Sequence, residues 1–403
     1  MTLLTDVSKE YPMFGIFVFH HRYMQGCWHE CVKHTINVSN MRTSGLPLTE
    51  LTTCRPFTID KKRLSTQITR RSFLHRASTL AVATGTLVTT GDLKAARSDA
   101  SMSVEGWPDM EYRTLGNTGF SGSRLVFGCG AALSSGQANH LLEPALEAGM
   151  NVFDVGFEGY YRDAERNLAP FLKRHGDDIF LISKAYAGDF MPNQPINTSM
   201  AKSAAQSWSR AIDHSLRGLG VEHMDAYYLM AANNVELIRS EEVHEAFLAA
   251  KSAGKVSHYG LSTHENAENV LLAATGTGWY SLAQIAITPA GWYDWASRSM
   301  VDDGKSMKDL RPVLDAARNA GIGLIGMKAG RYIAGRRFLG WGKPDAFNEH
   351  YDPALLVAPL TAFQRSYAYV LAHGLDAVNA DMQVWKHMRE NVAAATSAQR
   401  YFV

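Results

Sequence analysis

From position 110 onward the chain alternates short apolar runs with amphipathic stretches. Runs rich in β-branched and aromatic residues fall at 124–128, 151–155, 179–184, 225–230, 256–262, 282–288, 323–328 and 376–380. They are apolar on both faces, as strands of a parallel sheet covered by helices must be. Helical periodicity fills the intervals at 138–148, 163–174, 200–219, 241–253, 266–274, 308–320 and 359–373, with a last stretch at 383–395. Gly149, Gly220 and Gly321 stand just before strand runs, where a left-handed residue closes a helix. A strand and helix alternation repeated about eight times favours an α/β fold, the closed (β/α)8 TIM barrel, over an open doubly wound sheet. Gly128-Cys129-Gly130 is only a fragment of a dinucleotide fingerprint and lacks its acidic partner, which argues against a Rossmann fold. The stretch 338–358, with turn residues and aromatics, is the expected lid over the barrel mouth.

Upstream of this pattern the chain reads differently. Thr69-Arg70-Arg71-Ser72-Phe73-Leu74-His75-Arg76 is followed by an uncharged run over 77–91 and resembles a twin-arginine export signal. At about 15 residues that run is short of the roughly 20 needed for a permanent span. Small residues at Ala96, Ser98 and Ala100 suit cleavage after Ser98 or Ala100. The expected organisation is a leader over 1–68, disordered or upstream of the true start, a signal peptide over 69–98, and a barrel over 99–403. The resemblance implies export in the folded state through the twin-arginine machinery to the periplasm, with no stable membrane span after cleavage. The leader holds His20, His21, Cys27, His29, Cys31 and His34, residue types that bind zinc, but no core-forming periodicity surrounds them. No metal site is assigned.

Composition narrows the choice further. Of the 403 residues, 46% are hydrophobic, and the formal net charge is +1. Without a basic stripe or stacking motif, nucleic acid is not an expected partner. Past the signal roughly 300 residues remain, enough for one large barrel. Cys129 is the only one of the 4 cysteines beyond the leader, so the barrel forms no internal disulfide and must rely on its core. Cys129 itself reads as a small core residue.

In a barrel, reacting groups sit where strands end on the C-terminal face. Those ends supply Asp154, Lys184, Met230, Ser262, Thr263, Gln284 and Lys328, with Glu158, Tyr160 and Tyr161 just past Asp154. A carboxylate, a lysine and a tyrosine converging there make a general acid. The ammonium is expected to lower the phenol pKa, while the carboxylate holds the lysine charged and in place.

Four motifs then carry a resemblance. Tyr112-Arg113-Thr114-Leu115-Gly116-Asn117-Thr118-Gly119 is similar to the opening hairpin of the aldo-keto reductases. Gly149-Met150-Asn151-Val152-Phe153-Asp154 is similar to their Gly-Ile-Asn-x-Phe-Asp. Asp225-Ala226-Tyr227-Tyr228-Leu229 and Lys255-Val256-Ser257-His258-Tyr259-Gly260-Leu261-Ser262 match two later motifs in order and spacing. The likeness spans about 110–395. It implies an oxidoreductase that passes a hydride between a nicotinamide cofactor, NADP or NAD, and a small carbonyl or alcohol substrate.

Position by position, the resemblance makes Asp154 and Lys184 the family pair. Tyr160 is the best match for the acid, although Gly159 stands at the family spacing and Tyr161 competes. Ser262 and Gln284 match positions that hold the nicotinamide amide, Thr263 stands where the family usually has Asn in that cofactor-binding stretch, and Glu390 and Asn391 resemble a pair near the adenine. Lys328 is a candidate for the cofactor phosphates or the pocket. Trp292, Tyr293 and Trp295 are candidates for the pocket wall or for packing. One departure stands out: Met230 occupies the place of the family's catalytic histidine. His264 is a candidate substitute, as are Asn233 and Asn234. The segment Asp381-Met382 lacks the Lys-Ser that some members use on a 2′-phosphate, which weakens the case for NADP. Met230 also supports an alternative, a nicotinamide-binding sensor or near-inactive pseudoenzyme.

Overall fold

The computed structural model describes residues 102–301, 304–334 and 342–397. The leader and signal readings, and the cysteine and histidine cluster with them, lie outside the described residues. In chain order the strands are β1 (Tyr112–Thr114), β2 (Ser121–Ser123), β3 (Leu125–Gly128), β4 (Val152–Asp154), β5 (Phe180–Ala185) and β6 (Met224–Leu229). There follow β7 (Val256–Thr263), β8 (Leu282–Thr288), β9 (Gly291–Asp294), β10 (Ser299–Met300), β11 (Gly323–Met327) and β12 (Ala377–Ala380). Strands β3 to β8 pair in parallel in chain order, β8 passes to β11 and β12, and β12 returns to β3. The result is an eight-stranded closed parallel barrel with helices outside it, the (β/α)8 fold.

The barrel bore is filled by side chains. Val126, Val152, Phe180, Ile182, Tyr228 and Leu282 meet inside it, and Leu115 from the β1–β2 hairpin joins them from below. That hairpin is a plug, and its glycine is needed there. A Cβ on Gly116 would lie 2.2 Å from the Gly323 nitrogen, and the φ of +53° suits glycine in any case. Truncating Leu115, fully buried in this plug, would cost about 2 to 5 kcal/mol. Small and large residues alternate across the bore: Gly260 pairs with Tyr228, and a Cβ on Gly260 would meet that ring at 2.2 Å.

Helices form where the sequence supplies both an apolar face and ends. Thr198–Leu219 is capped by the Asn197 side chain, which accepts from the Met200 N–H at 3.0 Å, and it stops at Gly220 with φ +66°. Ala362–Ala372 begins later than its periodicity suggests because Thr361 and Gln364 close a capping box there. The expected helix at 138–148 is instead a 3-10 turn, Asn139–Leu141, followed by Leu142–Glu147. Pro144 lacks the N–H an earlier helical start would use. Gly149 and Gly321 adopt φ of +86° and +84°, as their places before strands require.

Two features differ from the pattern-based reading. The β9–β10 hairpin, antiparallel to β8, was not expected from period. Within the expected lid, the described part from 342 folds into the core: Phe347, Tyr351 and Leu355 are all buried. None of the described residues of 342–358 lines the cavity at the mouth. Among the described residues no helix is long and apolar enough to cross a membrane.

Candidate active site

The C-terminal ends of the strands surround a cavity of about 390 Å³. Register decides who meets whom at its floor. Gly128 of β3 pairs with Asp154 of β4, and Asp154 pairs with Ile182 of β5, so Lys184 stands two residues further toward the mouth. There the Lys184 Nζ donates to both Asp154 oxygens at 2.6 Å and to the Val155 carbonyl at 2.6 Å. Both side chains are buried. A pair removed from water needs such full coordination to be stable.

The two tyrosines occupy different places. Tyr160 is 49% exposed at the rim, its ring edge-on to Tyr161 and Tyr186. Tyr161 is turned inward, with the Lys184 Nζ 5.7 Å from its ring centroid. Its ring lies between two glycines: a Cβ on Gly130 would come to 2.5 Å of it, and one on Gly156 to 2.7 Å. Both tyrosines line the cavity, and the inner ring is the one over which the Lys184 ammonium lies. Burial, then the Asp154 carboxylate, pushes the Tyr161 phenol well above its ordinary value. The expected net lowering of the phenol is not what results, because burial outweighs the ammonium. Lys184 spends its charge on both oxygens of Asp154, so desolvation is the largest influence on the phenol.

The end of β7 follows strand alternation. Ser262 and His264 face the cavity, while Thr263 between them points away. The Thr263 hydroxyl donates to the Asn233 side-chain oxygen at 3.0 Å and to the Glu265 carbonyl at 2.9 Å. His264 is a lining residue and not a solvent-facing cap. Burial first, then the charges of Lys328 and Lys184, hold its imidazole down to about 3, so it is neutral at physiological pH. Asn234, one of the two asparagine candidates near Met230, is a structural group. Its oxygen accepts from the N–H groups of Glu236 and Leu237, and its amide donates to the carbonyls of Met191 and Gln194. Met230 itself lies in the cavity wall.

Gln284 pairs with Ser262 across β7 and β8 and lines the cavity beside it. Its Oε1 is buried without a hydrogen-bond partner, while its Nε2 faces the Met327 sulfur at 3.7 Å. An orphaned buried acceptor next to a serine hydroxyl fits the carboxamide of a nicotinamide, which brings an N–H donor. Lys328 has φ +68° and aims its Nζ at the Trp295 ring, 4.3 Å from the centroid. Burial and the neighbouring Arg331 and Lys184 hold its amine down to about 8. Trp295 of the unexpected hairpin is thus part of the cavity wall, whereas Trp292 is buried and donates to Glu268 at 3.1 Å. Tyr293 packs against Ala286 and Met327. Glu390 and Asn391 sit on the helix Trp385–Ala395 and do not line the cavity.

Among the lining residues that escaped sequence reading, two bear charge or a hydrogen-bonding amide beside the ion pair and Lys328. Asn379 of β12 donates its amide to the Asp154 carboxylate. Asp381, just past the same strand, borders the cavity near Lys328. Asn379 stands one residue before the predicted strand end, and counting back by two from Asp381, just past that end, finds it.

This geometry agrees with comparison to known proteins. The profile of the Aldo/keto reductase family matches residues 116–329. The chain belongs to the aldo/keto reductase family, oxidoreductases that generally use NAD(P)H on small molecules. Solved structures share the fold. A Pseudomonas aeruginosa protein assigned to the aldo-keto reductases is 20% identical, with TM-score 0.51, covering 72% of this chain and 98% of its own. A Bacillus halodurans aldo-keto reductase in its holo form is 20% identical, with TM-score 0.52, covering 73% of this chain and 95% of its own. At these identities the likeness is one of architecture.

Proposed function

We propose that this chain transfers a hydride between a nicotinamide dinucleotide, NADP or NAD, and a small carbonyl or alcohol substrate, with Tyr161 as the general acid. One observation carries the reading: the doubly bonded pair of Lys184 and Asp154, buried at the cavity floor beneath the Tyr161 ring. A phenol raised by burial keeps its proton until a developing alkoxide demands it, and the adjacent ammonium steadies the phenolate that results. Asp154 holds that ammonium in place. His264, neutral, offers an N–H to the carbonyl oxygen from the end of β7, where Met230 offers none.

When bound, the nicotinamide supplies or accepts the hydride. Gln284 and Ser262 would hold its carboxamide, and Lys328 with Arg331 would face the phosphates from the neighbouring wall. The wall residues Tyr160 and Trp295 offer aromatic faces to the substrate.

The test is turnover of a carbonyl panel with each reduced nicotinamide, alongside cofactor titration. Tyr161→Phe should lower kcat roughly 10²- to 10⁴-fold, while Tyr160→Phe should change it only severalfold. The reverse pattern would return the acid to Tyr160. The alternative reading, a binding or sensing protein, rests on Met230 in the cavity wall. Tight cofactor binding without turnover on any substrate would favour it.

The proposed site of action is the periplasm, reached folded through the twin-arginine route, on the strength of Arg70-Arg71 and the uncharged run behind them. Replacing both arginines by lysine should retain the protein in the cytoplasm. Unchanged export of that variant would refute the route.

A further inference from the structure

Asn379 reaches Asp154 across an intervening strand. The sheet order runs β12, β3, β4, so β3 separates the two residues. The crossing is open because β3 ends on Gly128: a Cβ there would lie 2.6 Å from the Asn379 Oδ1 and 2.8 Å from the Ala380 carbonyl. Through this gap the Asn379 amide donates to Asp154 Oδ2. Lys184 approaches the same carboxylate from β5, on the other side. Other charged or titratable groups around the carboxylate are the Tyr161 and Tyr228 phenols, the Cys129 thiol and, further off, the Lys328 amine. None of these is hydrogen-bonded to it among the described residues.

We propose that Asn379 is a positioning residue for the reaction, fixing the rotation of the Asp154 carboxylate so that both oxygens meet Lys184 below Tyr161. This rests on the function proposed above. A carboxylate on a strand end turns about its last torsion with little resistance. A lysine held by one carboxylate oxygen in place of two, beside the Val155 carbonyl, would have more freedom to swing away from the phenol. Asn379 removes that freedom with a neutral donor, which adds no charge to the pair.

The experiment compares the full-length protein with Asn379→Leu, which keeps the volume and removes the donor, and Asn379→Asp, which keeps the shape. Steady-state kinetics should give kcat lowered roughly 10- to 100-fold in Asn379→Leu with substrate KM within about twofold. Asn379→Asp, which sets a second acid beside the first, should lose at least as much and move the acid limb of its kcat/KM profile to higher pH. Full kcat with an unchanged pH profile in either variant would overturn the proposal. A second readout does not need turnover: the Lys184 ammonium signal by isotope-edited NMR, assigned with Lys184→Met. It should shift and broaden when Asn379 is replaced, and an unmoved signal would overturn the positioning role even if no substrate is ever turned over. If Asn379→Leu fails to fold, Asn379→Asp carries both measurements alone.

Discussion

Asn233 accepts a hydrogen bond at 3.0 Å from the backbone N–H of His264 and so ties the loop after β6 to the turn after β7. The same oxygen accepts from the Thr263 hydroxyl and from the Glu265 N–H, at 3.0 and 3.1 Å. The Asn233 carbonyl in turn accepts from Asn266, which adopts φ +55°. This network presents the imidazole to the cavity that Met230 leaves without a donor.

His264→Leu should therefore lower kcat by roughly 10- to 100-fold, the loss of one donor to a developing oxyanion. Asn233→Ala should share the defect by loosening the turn, and Asn233→Asp should restore it, since a carboxylate accepts the same donors. The imidazole has a pH signature as well. Its folded value is held down to about 3 from 6.5, so the unfolded chain binds the proton more tightly. Its stabilising effect is full above the ordinary histidine value and is lost as pH falls through that value toward 3. Urea unfolding measured at several pH values should show this acid slope shrink in His264→Leu; an unchanged slope would mean that the imidazole titrates freely.

Gly130 and Gly156 clamp the Tyr161 ring, and each is too close for a side chain. Gly130→Ala should displace the ring and cut kcat by about tenfold or more, at a stability cost of roughly 1 to 3 kcal/mol from overpacking. Crystallography of the variant would show the ring moved. Unchanged kinetics with a moved ring would disconnect Tyr161 from the chemistry.

Lys184→Met leaves the Asp154 carboxylate buried without its cation and should cost about 3 to 5 kcal/mol of stability together with activity. Adding Asp154→Leu should recover most of the stability and none of the turnover, because an apolar pair tolerates burial. Denaturant midpoints and kcat on the parent and the two variants separate the two roles. Recovery of activity in the double variant would mean that the pair only supports the fold.

The barrel strands were legible because each is a short apolar run between glycine or capping signals, and the ion pair was legible because both residues stand at strand ends. Other features depend on relations that local sequence does not carry. The choice between Tyr160 and Tyr161 turns on which ring fits between Gly130 and Gly156, and those glycines belong to different strand ends. Asn379 matters only because β12 closes onto β3 and Gly128 leaves a gap there. The β9–β10 hairpin hides in a stretch whose aromatics read equally well as packing, and it brings Trp295 to the cavity. Thr263 was placed with its neighbours by motif, while strand alternation turns it outward.

Glu165 offers a test of the opposite sign. It lies on the helix Ala164–His175 and is 2% exposed. Its Oε1 accepts from the Ser183 hydroxyl at 2.7 Å, whereas Oε2 is buried without a hydrogen-bond partner. Burial pushes this carboxyl above its ordinary value, and the serine contacts only partly oppose the rise. The folded chain thus binds the proton more tightly than the unfolded one. Its contribution to stability is full below the ordinary value of 4.5 and is lost as pH rises through it toward the raised folded value. Glu165→Gln supplies the neutral form permanently, and its amide can donate where the carboxylate cannot. The variant should match the parent near pH 4 and exceed it by about 1 to 3 kcal/mol near pH 8, the usual cost of an unsatisfied buried polar group. Thermal unfolding at the two pH values decides it. A variant less stable than the parent near pH 8 would mean that the ionised carboxylate is the form the fold requires.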